Sequence, residues 1–149
     1  MKAVVQRVSQ ASVRVQGKIV AEICWGLLVL VAAHKDDAYK QAEKMADRVN
    51  GLRIFNDGEG KMNLAISDLP AELEAGILAV SNFTVYGETS KNRRPSFIEA
   101  APYAQGEELF KAFVNALKAR GLKVQQGIFG ADMKVSLVND GPVTVVVEV

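Results

Sequence analysis

The sequence predicts an α+β protein: a compact β-sheet sandwich or partial barrel covered by two helices, an α/β arrangement of the three-layer type. Three observations predict it. β-branched residues crowd the first quarter between tight-turn pairs, two later stretches repeat apolar residues at helical spacing, and the final third returns to valine-rich runs. At 149 residues the chain has the length of one domain, 1–149, able to bury roughly 68–70% of the surface of its unfolded form.

Val4, Val8, Val13, Val15, Ile19, Val20 and Ile23, punctuated by Gln16-Gly17 and Trp25-Gly26, predict short strands in a β-meander. Leu27-Leu28-Val29-Leu30-Val31-Ala32-Ala33 follows as a buried strand, far short of the roughly 18 apolar residues of a membrane span. Asp36 is expected to cap a helix whose Ala38, Ala42, Met45, Ala46 and Val49 share a face, with Gly51 ending it in the left-handed conformation. Ile54-Phe55 and Met62-Asn63-Leu64 flank Asn56-Asp57-Gly58-Glu59-Gly60, a set of residues suited to a hairpin or compact loop. Ile77-Leu78-Ala79-Val80 reads as a buried strand whose polar end, Ser81-Asn82, emerges at a surface or cleft. Glu107 and Glu108 open a second helix with Leu109, Phe110, Phe113, Val114 and Leu117 on its core face, closed by Lys118, Arg120 and Gly121. Val124-Gln125-Gln126, the run 134–138 and the run 143–149 supply the last strands.

Charge excludes more than it assigns. With 18 Lys+Arg against 17 Asp+Glu the net charge is +1, so no global field calls for nucleic acid or a membrane surface, and any polyanion must be held locally. One cysteine, Cys24, forms no internal disulfide and reads as a small buried hydrophobe; the N-terminal residues read as a strand. A cytoplasmic protein with no membrane partner is expected.

The sequence holds no glycine-rich phosphate fingerprint, no Walker motif and no Cys/His cluster, so neither a metal nor a cofactor is expected. His34, at the exit of an apolar strand, is a structural or solvated residue or else a general base. Thr84 is a conceivable hydroxyl nucleophile without a base beside it in sequence, or a structural residue. Lys91, Arg93 and Arg94, with Phe97 behind, suit phosphate contacts and base stacking, and equally an ordinary solvated loop. Gly141-Pro142 reads as a trans bond on frequency alone, since only about 5–6% of bonds preceding proline are cis.

Residues 1–8, 26–31, 61–64, 81–86, 94–97, 129–133 and 139–144 together resemble the D-aminoacyl-tRNA deacylases, nearly end to end. Two segments carry the likeness most specifically: the family's Ser-Gln-Phe-Thr motif, here Ser81-Asn82-Phe83-Thr84, and its Gly-Pro motif, here Gly141-Pro142-Val143-Thr144. The resemblance implies a homodimer that hydrolyses the ester between a D-amino acid and the terminal adenosine of tRNA. Glycyl-tRNA, glycine mischarged on tRNA(Ala), is an implied secondary substrate.

By the same resemblance, Gly141-Pro142 is a cis bond reaching into the partner subunit's pocket, where the two carbonyl oxygens accept hydrogen bonds from the substrate ammonium. An L side chain would collide with that backbone and a D side chain would point outward, so selection is for handedness. Ser81, Asn82, Phe83 and Thr84 form the opposite, catalytic wall, with backbone N–H groups near Phe83 stabilising the oxyanion. Thr84 is either the nucleophile or a positioning group while the ribose 2′-hydroxyl assists. Phe129 and Met133 match positions lining the adenosine pocket, or else pack in the core. Lys91, Arg93 and Arg94 become acceptor-stem contacts. Asn82 stands where the family has glutamine and Asn92 where a glycine is common, asparagine being a low-cost residue for positive φ.

Two other readings stay open. One is a related proofreader of a misacylated L- or achiral aminoacyl-tRNA, for which a trans Gly141-Pro142 bond would argue. The other is a non-enzymatic dimeric RNA-binding module built on the basic loop.

Overall fold

The unbroken apolar runs predicted as strands are explained by a sheet buried on both faces. The computed structural model describes residues 1–90 and 93–149. Strands β1 (Lys2–Val15), β2 (Lys18–Ile23) and β3 (Gly26–Ala32) come first, then helix α1 (Tyr39–Asn50), the short pair β4 (Phe55–Asn56) and β5 (Met62–Leu64), strand β6 (Gly76–Ser81), helix α2 (Tyr103–Ala119), and strands β7 (Lys123–Gln126) and β8 (Lys134–Glu148). In β3, Leu27, Val29 and Val31 enter a large core shared with both helices, while Leu28 faces a second core with Val8, Val13 and Leu78. β6 alternates the same way, Ile77 and Ala79 to one side, Leu78 and Val80 to the other. The fold class is as expected, a mixed sheet with two covering helices.

The first three strands are not a strict meander. β2 and β3 both lie antiparallel to β1, β3 along Lys2 to Val8 and β2 along Ala11 to Val15, so β3 never pairs with β2. The length of β1 is the reason, since one strand offers an edge to two partners in series. β6 and β7 extend the sheet in parallel from β3, and β8 runs antiparallel along the remaining edge of β1. The two C-terminal runs expected as separate strands are thus one strand with an interruption. β1 itself changes face: Ala3 and Val5 pack in the large core, Ala11 and Val13 in the second, and the β1–β8 register slips between Val8 and Gln10.

Where β3 and β6 begin, Gly26 is paired with Gly76 at φ +135°, and a Cβ on Gly26 would lie 1.9 Å from the Gly76 oxygen. Only glycine permits that approach. The β4–β5 hairpin forms as expected, its loop held by Asp57, whose carboxylate accepts the N–H groups of Glu59 and Lys61.

Both helix starts differ from expectation. α1 begins after Ala38, whose N–H is taken by the Gln41 side chain, and Asp36 caps nothing. The carboxylate that acts here is Asp37, accepting the His34 N–H at 2.6 Å. Gly51 ends α1 at φ −89°, within right-handed space, its N–H on the Asp47 carbonyl. α2 starts at Tyr103 behind Pro102, a turn earlier than Glu107 and Glu108 suggested, because proline leads a chain into a helix without a donor to satisfy. Its core face and the closing Gly121 at φ +82° are as expected. Cys24 is exposed, not buried, because it lies in the β2–β3 turn outside both strands. No helix among the described residues is long and apolar enough to cross a membrane.

Candidate active site

β3 and β6 run parallel, so their carboxyl ends open side by side, and a cavity of about 830 Å³ lies there. Its sheet wall is Leu28, Leu30 and Val80; its other wall comes from Tyr103 and Phe110 of α2 and from Phe129 and Met133. An apolar cleft of this size with few polar groups matches the form of small-ligand sites. Two polar groups sit where the buried strand ends, Ser81, the last residue of β6, and Asn82, with Phe83 beside them; Asp132 also lines the cavity.

After Asn82 the chain turns into a short 3-10 helix, Phe83–Tyr86, seated by the Asn82 N–H on the Val31 carbonyl. The first N–H groups of such a turn have no acceptor within it. Thr84 is exposed and stands outside the cavity lining; its hydroxyl donates to Asn82 Oδ1 at 2.5 Å. Phe83 is 58% exposed, and its ring meets Phe97 edge-on at 5.2 Å. Phe97 in turn closes the basic loop, bridged by the backbone of Glu88 and Ser96. Arg93 and Arg94 are exposed on that loop and outside the cavity lining, while Lys91 and Asn92 lie outside the described residues.

His34 does not line the cavity. Its Nδ1 accepts the Asp36 N–H, which leaves the proton on Nε2 to donate to Glu99 at 2.9 Å. Hydrogen bonds from Lys35 and then His34 hold the Glu99 carboxyl below its ordinary pKa. Burial raises the Tyr86 hydroxyl well above its ordinary value, reinforced by Asp37 and Glu148. Among the described residues, no group of three or more His, Cys, Asp or Glu side chains could hold a metal ion.

Gly141 and Pro142 are exposed, joined by a cis bond, and absent from the lining of this chain's own cavity. They occupy the interruption in β8: Gln6 pairs with Thr144 and Val8 with Asn139, so segment 140–143 loops out opposite Arg7. A Cβ on Gly141, at φ +124°, would lie 2.8 Å from Val143 Cγ2 and 3.0 Å from Arg7 Nη2. Arg7, only 8% exposed, donates to the Ile54 carbonyl at 2.8 Å and pairs with the Asp140 carboxylate at 3.2 Å.

Of the residues singled out from the sequence, Ser81, Asn82, Phe83, Phe129 and Met133 share one cavity; Thr84, Arg93, Arg94, Gly141 and Pro142 lie outside it. Sequence reasoning missed Tyr103, Arg7 and the side-chain role of Asn139. Their contacts are made to residues distant in the chain, which leaves no local signal.

A profile of the family described as D-Tyr-tRNA(Tyr) deacylase matches residues 4–148. The chain is 51% identical to a D-aminoacyl-tRNA deacylase of Thermotoga petrophila, covering 99% of this chain and 97% of that one. A D-aminoacyl-tRNA deacylase of Carboxydothermus hydrogenoformans is 48% identical over 100% of both. Among solved structures, one described as c-Myc DNA unwinding element binding protein superposes with a TM-score of 0.91 at 37% identity, covering 100% of this chain and 99% of that one. A probable eukaryotic D-amino acid tRNA deacylase shares the fold alone, with a TM-score of 0.82 at 18% identity over 99% of this chain and 98% of that one. With a family profile spanning nearly its whole length and relatives about half identical end to end, this chain belongs to the D-Tyr-tRNA(Tyr) deacylase family.

Proposed function

We propose that this chain is a D-aminoacyl-tRNA deacylase: it hydrolyses the ester between a D-amino acid and the terminal adenosine of tRNA, a chiral proofreading step in translation. Residues 1–149 act as one domain, in the cytoplasm and as a homodimer. The observation that carries the reading is a division of the site. Ser81, Asn82 and Phe83 line the cavity, whereas Gly141 and Pro142 stand exposed outside it, a wall offered to a second copy.

In that dimer the partner's Gly141-Pro142 carbonyls would receive the substrate ammonium, and their backbone would exclude an L side chain. Glycine has no side chain to exclude, so glycyl-tRNA is the expected secondary substrate. Phe129 and Met133 would pack on the adenine. The N–H groups at the start of the turn carrying Phe83 suit an oxyanion hole, and water assisted by the ribose 2′-hydroxyl would cleave the ester. Thr84, its hydroxyl given to Asn82, positions rather than attacks. Arg93 and Arg94 contact the acceptor stem.

The test is release of tyrosine from D-tyrosyl-tRNA and L-tyrosyl-tRNA under identical conditions. Cleavage of the D-ester alone is expected. Cleavage of the L-ester at a comparable rate would favour a proofreader of another misacylated tRNA, and tRNA binding with no cleavage of either would favour a binding module.

A further inference from the structure

Segment 140–143 leaves the β1–β8 ladder and has no cross-strand pairing of its own, so its shape depends on what ties its ends. One end is held by Arg7, whose Nε donates to the Asp140 carbonyl at 3.3 Å. The closure across both ends is made by one side chain. Asn139 Nδ2 donates to the Arg7 carbonyl at 3.0 Å on β1 and to the Val143 carbonyl at 2.9 Å beyond the excursion. Its Oδ1 accepts from Thr144 Oγ1 at 3.4 Å, and that hydroxyl accepts from Gln6 Nε2 at 3.1 Å.

We infer that Asn139 is a positioning residue for the Gly141-Pro142 wall, and through it sets the discrimination between D- and L-esters. The inference rests on the function proposed above. Asn139 does not line the cavity and acts only through the backbone it clasps. The orientation of its amide follows from its neighbours: two carbonyls require the N–H₂ end, and a hydroxyl donor requires the oxygen. Both hydrogens of that end are used, so no other side chain of the same size reproduces the clasp. Aspartate at this position has the same shape but presents oxygen to both carbonyls, which releases the excursion while preserving volume. A wall that moves by an ångström no longer excludes the L side chain, since the exclusion is steric.

The test measures kcat and KM of full-length Asn139→Asp on D-tyrosyl-tRNA and L-tyrosyl-tRNA, beside wild type and Ser136→Ala, a change on the same strand away from the clasp. The D-to-L ratio of kcat/KM should fall at least tenfold in Asn139→Asp and stay at the wild-type value in Ser136→Ala. A merely structural role would lower both esters in proportion and leave the ratio alone. Should Asn139→Asp fail to fold, Thr144→Val removes the hydroxyl that donates to Asn139 Oδ1 and accepts from Gln6 Nε2, leaving the Asn139 amide in place, and the ratio should fall in the same direction by a few fold. An unchanged ratio in the folded variant overturns the inference and leaves the deacylase reading standing. Wild-type protein that cleaves both esters alike overturns that reading and this inference together.

Discussion

The Thr84 hydroxyl, one of two hydroxyls in the site motif, donates a hydrogen bond to Asn82 Oδ1 at 2.5 Å. An amide oxygen accepts a hydrogen bond but does not take up a proton at neutral pH, so this partner orients the hydroxyl without activating it. Thr84→Ala should therefore keep kcat on D-tyrosyl-tRNA within about tenfold of wild type. Loss of a true nucleophile costs about 10⁴-fold or more. Single-turnover release of tyrosine distinguishes the two, and a drop of the larger size would make Thr84 the attacking group.

Arg93 and Arg94 lie on the loop that Phe97 ties to Phe83, beside the site but outside its lining. A phosphate contact made there adds affinity without reading the amino acid. For Arg94→Ala, tRNA binding should weaken, and the slope of log K against log salt should shrink by about 0.7–0.9 for a single phosphate left unneutralised. The D-to-L ratio should not move. A binding curve indistinguishable from wild type at low salt would assign Arg94 to plain solvent.

β3 and β6 were legible because they are buried on both faces, which leaves unbroken runs such as 27–33 that need no partner to be recognised. The core face of α2 was legible for the same reason, its spacing being internal to the segment. Arg7 was not. Its burial is made by Ile54 and Asp140, 47 and 133 positions away, and nothing local distinguishes it from a solvent-facing arginine. Cys24 failed in the opposite direction: its apolar character predicts burial, and its position in a turn overrides it. The catalytic role proposed for Ser81-Asn82-Phe83-Thr84 comes only from the family motif, since Ser81-Asn82 by itself marks the end of any buried strand. The tie between Asn139 and the looped segment was illegible, because a register break in a β ladder leaves no spacing signature.

Gly26 offers a test of how the cavity is built. Alanine there would bring its Cβ to 1.9 Å from the Gly76 oxygen, and both residues are backbone-paired at the start of the β3–β6 ladder. Neither strand can move without displacing the walls of the cavity. Gly26→Ala should lower stability by more than about 4 kcal/mol, read as a shift in urea midpoint. Near-wild-type stability would mean that β3 and β6 can separate at this end.

Glu99 links the segment after the basic loop to the end of β3 by its bonds to His34 and Lys35. Its carboxyl is held below its ordinary pKa, chiefly by Lys35 and then by His34. A depressed carboxylate stabilises the fold above its unfolded value and loses that contribution as pH falls through the folded one. Glu99→Gln should thus lower Tm slightly at neutral pH and low salt, with the difference shrinking as pH falls below the ordinary glutamate value of about 4.3 and vanishing only below the lowered value of the folded state. High salt should shrink the neutral-pH difference, since the pair is exposed. A difference that persists in acid would trace the effect to packing instead of charge.

Tyr103 is 66% exposed although it lines the cavity, a large aromatic left uncovered at the first position of α2. Its ring meets Phe129 edge-on at 5.1 Å, and it fits there because Gly130 is bare: a Cβ on Gly130 would lie 2.5 Å from the Tyr103 hydroxyl. If Phe129 and Met133 take the adenine, Tyr103, exposed and in contact with Phe129, is placed to stack beside it. Base stacking on an aromatic is worth about 1–3 kcal/mol. Tyr103→Ala should therefore raise KM for D-tyrosyl-tRNA about tenfold, near 1.4 kcal/mol, with kcat preserved. Tyr103→Phe should behave as wild type, because the ring and not the hydroxyl makes the contact. Free adenosine should compete with substrate for wild type and for Tyr103→Phe, and compete about tenfold less well for Tyr103→Ala. A fall in kcat at unchanged KM would instead move Tyr103 from the nucleotide end of the cavity to the reacting ester.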